Sequence, residues 1–230
     1  MATVLITGTN RGVGLEFVRQ FLARGDKVLA ACRDPDAAEE LGRFREENGN
    51  LQLFTLDVSS QKSMETFTMQ LSGQAIDIFI NNAGVYGPRD SGFGNVDTQQ
   101  WSEVMQVNAM APLILTQLLI NNLRQSDTKK LAYITSKMGS IDDNTGGGSY
   151  VYRSSKAALN AVVKSVAVDL GSNGFSVAVL HPGWVRTDMG GPSGLIDTQT
   201  SVSGMMRVID SMSEQNSGSF FNYDGSIIPW

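Results

Sequence analysis

Seven short apolar runs, each of strand length, recur along the chain with helix-length segments between most of them. The runs are Thr3–Thr7, Lys27–Cys32, Leu51–Val58, Asp77–Gly84, Lys130–Ser136, Phe175–Gly183 and Gly218–Gly225. After the first, Leu15, Val18, Phe21 and Leu22 repeat at helical spacing and Gly25 supplies a stop. The charged stretch Ala37–Glu47 and the stretch Ser60–Leu71 predict two more helices. A long helix is expected over Thr98–Arg124, with Pro112 inside it as a source of a kink, and another over Ser149–Leu170. Short helices in a loop-rich stretch are expected to fill the chain to Met212. A strand followed by a helix returns to the sheet parallel to its predecessor. The expected fold class is therefore α/β, a doubly wound, mainly parallel sheet of about seven strands with helices on both faces. No linker, repeat or low-complexity block interrupts the pattern, so residues 1–230 are expected to form one domain.

In an open sheet of this kind, ligands bind beyond the carboxyl ends of the strands. Three Gly-rich loops follow expected strands, at Tyr86–Asn95, Asp142–Ser149 and Gly190–Thr198. The first strand runs directly into "GTNRGVGLEF", which carries Gly8, Gly12 and Gly14. A plain strand-to-helix turn uses glycine for its backbone freedom alone. A phosphate cradle needs the same context. There Gly8 would allow the tight turn, Gly12 the approach of a pyrophosphate, and Gly14 the close packing of helix on sheet. The helix N-terminus would add free N–H groups and partial positive charge. The spacing is Gly-x-x-x-Gly-x-Gly, not the commoner Gly-x-Gly-x-x-Gly.

A net charge of −5 without a basic stripe argues against a nucleic-acid partner. Cys32 is the single cysteine, so no internal disulfide can form, which suits a reducing compartment. The start Met-Ala-Thr lacks the charged beginning of a secretory signal. No apolar stretch is read as reaching the ~20 residues that span a bilayer. A cytoplasmic location without a membrane partner is the expectation. His181 is the only histidine, so no His/Cys cluster is available for zinc and no metal site is expected. A serine hydrolase would have to use His181 and lacks a Gly-x-Ser-x-Gly elbow. His181 stands before Pro182 at a strand end and reads as structural.

Tyr152 and Lys156 lie four apart on an expected helix, hence on one face. A nearby ammonium would lower the phenol's pKa from about 10 and make it a usable acid or base. Alone the pair is weak, because a tyrosine packed on the sheet and a lysine reaching solvent give the same spacing. Tyr133 and Lys137 share that spacing but lie on an expected strand, where four residues span ~13 Å and the side chains do not meet.

Taken together, these motifs resemble the short-chain dehydrogenase/reductase family over nearly the whole chain, and a Rossmann-type fold is what that resemblance implies. "TGTNRGVG" (Thr7–Gly14) is similar to the family's glycine motif, "NNAG" (Asn81–Gly84) to its motif after the fourth strand, and "LDV" (Leu56–Val58) to the lining of its adenine pocket. "HPGWVRTDM" (His181–Met189) resembles its Pro-Gly turn and nicotinamide-side threonine. Asn108, Ser136, Tyr152 and Lys156 match the family's catalytic set. The ending "FFNYDGSIIPW" and the compact length resemble the C-factor or sniffer-like carbonyl-reductase branch.

The resemblance implies an oxidoreductase that moves hydride between NADP(H) and a carbonyl or alcohol. A signalling or scaffold protein of C-factor type with little turnover is the alternative. Tyr152 would donate the proton. Lys156 would tune it and hold the nicotinamide ribose, Ser136 would bind the substrate oxygen, and Asn108 would hold a proton-relaying water. Cofactor contacts are implied at Gly8, Asn10, Arg11, Gly12, Val13, Gly14, Arg33, Asp57, Val58, Asn82, Ala83 and Gly84. They are also implied at Tyr152, Lys156, Pro182, Gly183, Val185 and Thr187. A small-molecule substrate and a homodimer through the two long helices complete the implied picture.

The place of an NAD-reading acid at the end of the second strand is taken by uncharged Cys32. Arg33 and Arg11 could fork a 2′-phosphate, favouring NADP(H) over NAD(H). Two solvated arginines, with Asp34 facing the ribose, is the opposing arrangement. The stretch Gly190–Met206 is expected to cover the substrate, with Leu195, Ile196, Met205 and Met206 as apolar lining, and Trp184 bordering the pocket.

Overall fold

Every expected apolar run forms a strand in the computed structural model, which describes residues Met1–Trp230. The order along the chain is β1 (Thr3–Thr7), α1 (Gly12–Ala23), β2 (Lys27–Cys32), α2 (Glu39–Glu47), β3 (Leu51–Thr55), α3 (Gln61–Gln70) and β4 (Ile78–Asn81). Then come α4 (Thr98–Met105), a five-residue π-helical turn (Gln106–Met110), α5 (Ala111–Arg124), β5 (Lys130–Ile134), α6 (Tyr150–Gly171), β6 (Ser176–His181), α7 (Thr198–Ser211) and β7 (Ser219–Asn222). The strands order as β3-β2-β1-β4-β5-β6-β7, and every neighbouring pair is parallel.

Alternation along each strand divides the core into two. Val4 and Ile6 of β1 face a cluster with Phe17, Phe21, Leu41, Met205 and Ile209, which come from α1, α2 and α7. Leu5, between them, faces Met64, Phe67, Leu115, Leu119 and Leu159 from α3, α5 and α6. Strands buried on both faces read as continuous apolar runs, which is why the sequence pattern found all of them.

Three expectations change. The single helix over Thr98–Arg124 is two helices joined by the π turn, because a proline at 112 has no N–H for the Asn108 carbonyl and its ring crowds that carbonyl. Thr98–Arg124 is also long and apolar enough by composition to cross a membrane, contrary to the sequence reading. Leu115, Leu119 and Leu123 of this stretch are nevertheless fully buried against the sheet. Finally, the stretch before Met212 is one 14-residue helix, α7, capped by Asp197. Its Met205 and Met206 are buried in the core beside α1 and do not line the large cleft at the carboxyl ends of the strands.

The amino ends of the strands are tied by short-range polar contacts. Asp77 accepts the Thr3 N–H at 2.7 Å and the Ser126 hydroxyl. Asp26 accepts the Ala2 N–H at 2.8 Å and Arg24 Nε at 2.6 Å, and Arg24 reaches on to Asp210. Lys130 Nζ donates to the carbonyls of Ile209 and Asp210.

Candidate active site

At the carboxyl ends, between β1 and β4, the chain departs in opposite directions from neighbouring strands. That is where an open sheet leaves a crevice. A cleft of about 1150 Å³ opens there. Every expected cofactor residue lines it, from Gly8, Asn10, Arg11, Gly12, Val13 and Gly14 through Arg33, Asp57, Val58, Asn82, Ala83 and Gly84 to Pro182, Gly183, Val185 and Thr187. Ser136, Tyr152 and Lys156 line it as well, and Trp184 borders it.

The glycine loop is built for close approach. Gly8 has φ +70° and Gly12 φ +57°, the left-handed region that favours glycine. A Cβ on Gly14 would sit 2.1 Å from the Gly8 carbonyl oxygen and 2.5 Å from Asn82 Nδ2. Asn82 Nδ2 donates to the carbonyls of Thr7 and Gly8 at 2.9 and 3.0 Å, and the Thr7 hydroxyl accepts the N–H groups of Asn82 and Ala83. The two loops are therefore pinned to each other. α1 starts at Gly12 with no capping side chain, whereas α3, α4 and α7 are capped by Ser60, Asp97 and Asp197. The first N–H groups of α1 thus face the cleft without a side-chain acceptor, the arrangement an anion at a helix N-terminus requires. These residues fit the phosphates of a dinucleotide.

The charges along the cleft agree. The whole chain is acidic, yet Arg11, Arg19, Arg33, Arg89, Lys137 and Arg186 outnumber the acids that line the cleft. Arg33 is exposed and makes no ion pair within 4.0 Å. Asp34 accepts the Ala37 N–H at 3.1 Å and does not line the cleft, which disfavours it as the ribose reader. Arg11 pairs with Asp188 at 2.8 Å, both side chains well exposed. Such exposed pairs contribute ~0–1 kcal/mol, so a phosphate can take the guanidinium over.

Tyr152 and Lys156 project from the first turns of α6 and are 7% and 5% exposed. Lys156 Nζ lies 5.9 Å from the Tyr152 ring centroid and donates to the Ile134 carbonyl at 2.9 Å. Ser136, two residues past β5, caps a short 3-10 turn (Lys137–Gly139) by accepting the Met138 N–H. A Cβ on Gly139 would meet the Lys156 backbone at 2.8 Å, so this glycine lets the Ser136 loop lie on α6.

Asn108 does not line the cleft. Its Oδ1 accepts the Val85 N–H at 2.9 Å, and its Nδ2 donates to the Val85 carbonyl and the Ser155 hydroxyl. The side chain is thus a clamp on the turn after β4, not a free water ligand. Tyr133 is fully buried with its hydroxyl 2.6 Å from that of Thr116, and Lys137 pairs with Asp143, so these two residues, which share the spacing of Tyr152 and Lys156, do not meet.

The electrostatics correct one expectation. Burial pushes the Tyr152 phenol up to about 12, while the Ser136 hydroxyl beside it pulls the other way. Burial also pushes Lys156 down to about 8. The lysine's own desolvation weakens it as a cation, so it does not produce the lowered phenol that the spacing alone suggests. His181 is held neutral, pushed down to about 4 by burial, and its Nδ1 is buried without a hydrogen-bond partner. A neutral ring suits the structural reading, but His181 also lines the cleft, and its orphan nitrogen is a group the fold itself leaves unsatisfied.

Sequence reasoning missed Tyr86, Arg89 and Met138, which also line the cleft. An aromatic residue two positions after Asn-Asn-Ala-Gly was the available signal for the first.

Comparison with known proteins agrees with this geometry. The family model described as short chain dehydrogenase matches residues 2–195. The C-signal protein of Myxococcus xanthus is 44% identical over 167 residues, which is 73% of this chain and all of that one. Carbonyl reductase Sniffer of D. melanogaster superposes with a TM-score of 0.95 at 31% identity, covering 100% of both chains. An NADPH-bound carbonyl reductase from chicken fatty liver superposes with a TM-score of 0.93 at 34% identity, covering 100% of this chain and 99% of that one. With its glycine cradle, its buried tyrosine–lysine pair and a matching model over most of its length, the chain belongs to the short-chain dehydrogenase family.

Proposed function

We propose that this oxidoreductase reduces a carbonyl compound with NADPH, and that Asn108, Ser136, Tyr152 and Lys156 do the protein's share of the chemistry. The observation that carries the reading is the convergence of buried Tyr152, Lys156 and Ser136 on the end of the cleft opposite the glycine cradle. The dinucleotide supplies the hydride.

Tyr152, held protonated by burial, gives its phenolic proton to the substrate oxygen, and the Ser136 hydroxyl hydrogen-bonds that oxygen as charge develops. Lys156, already well below its ordinary pKa, exchanges a proton near neutral pH and can restore the phenol. The Asn108 carbonyl, relieved of its α-helical donor by Pro112, is the group that holds the relaying water, while its side chain fixes the turn. Arg33 and Arg11 hold the 2′-phosphate. Asp57 and Val58 border the adenine, Asn10 and Val13 the pyrophosphate, and Pro182, Gly183, Val185 and Thr187 the nicotinamide end.

One domain thus carries both sites. The single free cysteine, Cys32, suits a reducing, cytoplasmic setting. The helices α4–α6 leave Met110 and Val168 exposed and suit a homodimer. Light scattering should give twice the chain mass of 24.8 kDa.

Similarity to C-signal supports a competing reading as a signalling protein with little turnover. A panel of quinones, aldehydes and ketones, followed by loss of NADPH absorbance, decides between the two. Rapid turnover of at least one class is expected. Tight NADPH binding with no oxidation by any class would favour the signalling reading.

A further inference from the structure

Tyr152 sits in the first turn of α6, and that turn has no side-chain cap. The residue before it, Ser149, is in the left-handed region with φ 47°. Helix ends without caps fray, so a proton donor placed there needs to be held from outside the helix.

Tyr86 supplies such a hold from the loop after β4. Its ring stacks on that of Tyr152 with centroids 4.4 Å apart and planes 24° from parallel. Its hydroxyl lies 3.1 Å from the Ser149 hydroxyl, so it grips the helix start at two points. The turn that carries it is itself fixed: Gly87 has φ +79°, and a Cβ there would meet Val104 Cγ2 at 2.7 Å.

Arg89 links this stack to the far wall of the cleft. Its guanidinium lies over the Tyr86 ring, 5.4 Å from the centroid. The same guanidinium donates from Nη2 to the Met189 carbonyl at 3.1 Å, with the Asp188 carbonyl at 3.4 Å. Those carbonyls belong to the 184–190 segment, which closes on itself through Trp184 Nε1 donating to the Gly190 carbonyl at 2.7 Å. Nothing in the phosphate cradle or the Ser136 turn accounts for this chain of contacts.

We propose that Tyr86 and Arg89 are positioning residues: Arg89 ties the 184–190 wall to Tyr86, and Tyr86 fixes the ring of Tyr152. The acid is then aligned when the wall is seated. The inference rests on Tyr152 being the proton donor. Loss of Tyr86 should lower kcat and leave NADPH affinity unchanged, because its ring and hydroxyl contact Tyr152 and Ser149 and not the phosphate cradle. Loss of Arg89 loosens the 184–190 wall and should lower kcat and weaken the dinucleotide together.

The test combines reduction of 9,10-phenanthrenequinone with amide exchange over residues 150–156. Tyr86→Leu should lower kcat by roughly tenfold, about the limit of an aromatic pair's own contribution. It should also speed exchange across the first turn of α6. Tyr86→Phe, which keeps the stack, should retain most of the turnover. Arg89→Ala should lower kcat a few-fold, and Arg89→Lys, which keeps the charge over the ring, should recover part of it.

Wild-type kcat and unchanged exchange in Tyr86→Leu would overturn the proposal. So would a proportional loss of kcat, NADPH affinity and thermal midpoint in the same variant, since that marks general loosening of the fold. Tyr152→Phe, run alongside, separates the two readings. Near-normal turnover in that variant overturns the proton-donor reading and this inference with it. A dead Tyr152→Phe beside a fully active Tyr86→Leu overturns this inference alone.

Discussion

At the amino ends of the strands, Asp26 and Asp77 accept the N–H groups of Ala2 and Thr3, and Arg24 and Lys130 find partners in and around Asp210. At the carboxyl ends, α1 begins without a cap, Arg33 has no ion-pair partner, and His181 Nδ1 is buried without one. One edge satisfies its polar groups from within the chain. The other leaves groups for something else to satisfy, at a cost in stability that the first edge helps to offset. Sites that break the rules of local consistency are where function is expected.

Substitutions inside and outside the cleft test this division, and the largest effect is expected in the cleft. Tyr152→Phe should reduce turnover by ~10²–10⁴-fold, the usual range for losing a general acid, with NADPH affinity almost intact. Tyr133→Phe, its counterpart in the sheet, should stay active and lose ~1 kcal/mol of stability with its hydrogen bond to Thr116. A fully active Tyr152→Phe would remove the distinction between the two tyrosines.

On the closed edge, Asp77→Ala should behave in the opposite sense. It strips a partner from the Thr3 N–H and from the Ser126 hydroxyl, which at about 1 kcal/mol or more each should cost about 2–3 kcal/mol in denaturant unfolding. Its kcat/KM, measured well below the transition, should match wild type. A specific kinetic defect would show that the edges are not separable.

Arg33→Ala sharpens the comparison within the cleft. It should raise the KM for NADPH more than tenfold and that for NADH little, because losing one charge-assisted contact costs about 1.5–3 kcal/mol. Equal effects on both dinucleotides, or a wild-type preference for NADH, would rule out Arg33 as the phosphate reader.

Lys156→Met is read in stability rather than in turnover, and the size of its effect depends on pH. The folded pKa of about 8 lies below the ordinary 10.5, so between these values the unfolded chain binds the extra proton. Wild-type stability therefore rises with pH across that window from this group, and its burial penalty is fully present below pH 8. Lys156→Met should be more stable than wild type by about 1–3 kcal/mol at pH 7, less the loss of the hydrogen bond to Ile134, and the gap should close by pH 10.5. An advantage that is the same at both pH values would mean that packing, not charge, is the cause.

The fold was largely legible because strands buried on both faces are unbroken apolar runs, and the helices between them repeat at one period. Strand ends were read too long, as at Leu56–Val58 and Asn82–Gly84, because the chain stays apolar or small where it leaves the sheet to line the cleft. α7 was read as loop and short helices because its Ser, Thr and Gly content hides an apolar stripe that packs on α1. The candidate site was legible where motifs are local, as with Gly8–Gly14 or Tyr152 and Lys156. It was illegible where partners are distant in sequence: Arg11 meets Asp188 across 177 positions, and the Tyr86–Tyr152 stack follows no spacing rule. The direction of the Tyr152 shift was also hidden, because burial of phenol and lysine together is a property of the folded interior.

The π turn at Gln106–Met110 lets one continuous run of chain serve two helices that face the core independently. Each residue advances an α-helix by about 100°, and the wide turn takes up about one residue's worth of that rotation between α4 and α5. In an unbroken α-helix of the same residues, every side chain after the turn would stand rotated by about that angle. Leu115, Leu119 and Leu123 would then turn away from the sheet. The turn that places Asn108 against Val85 thus also sets the phase in which α5 meets the core.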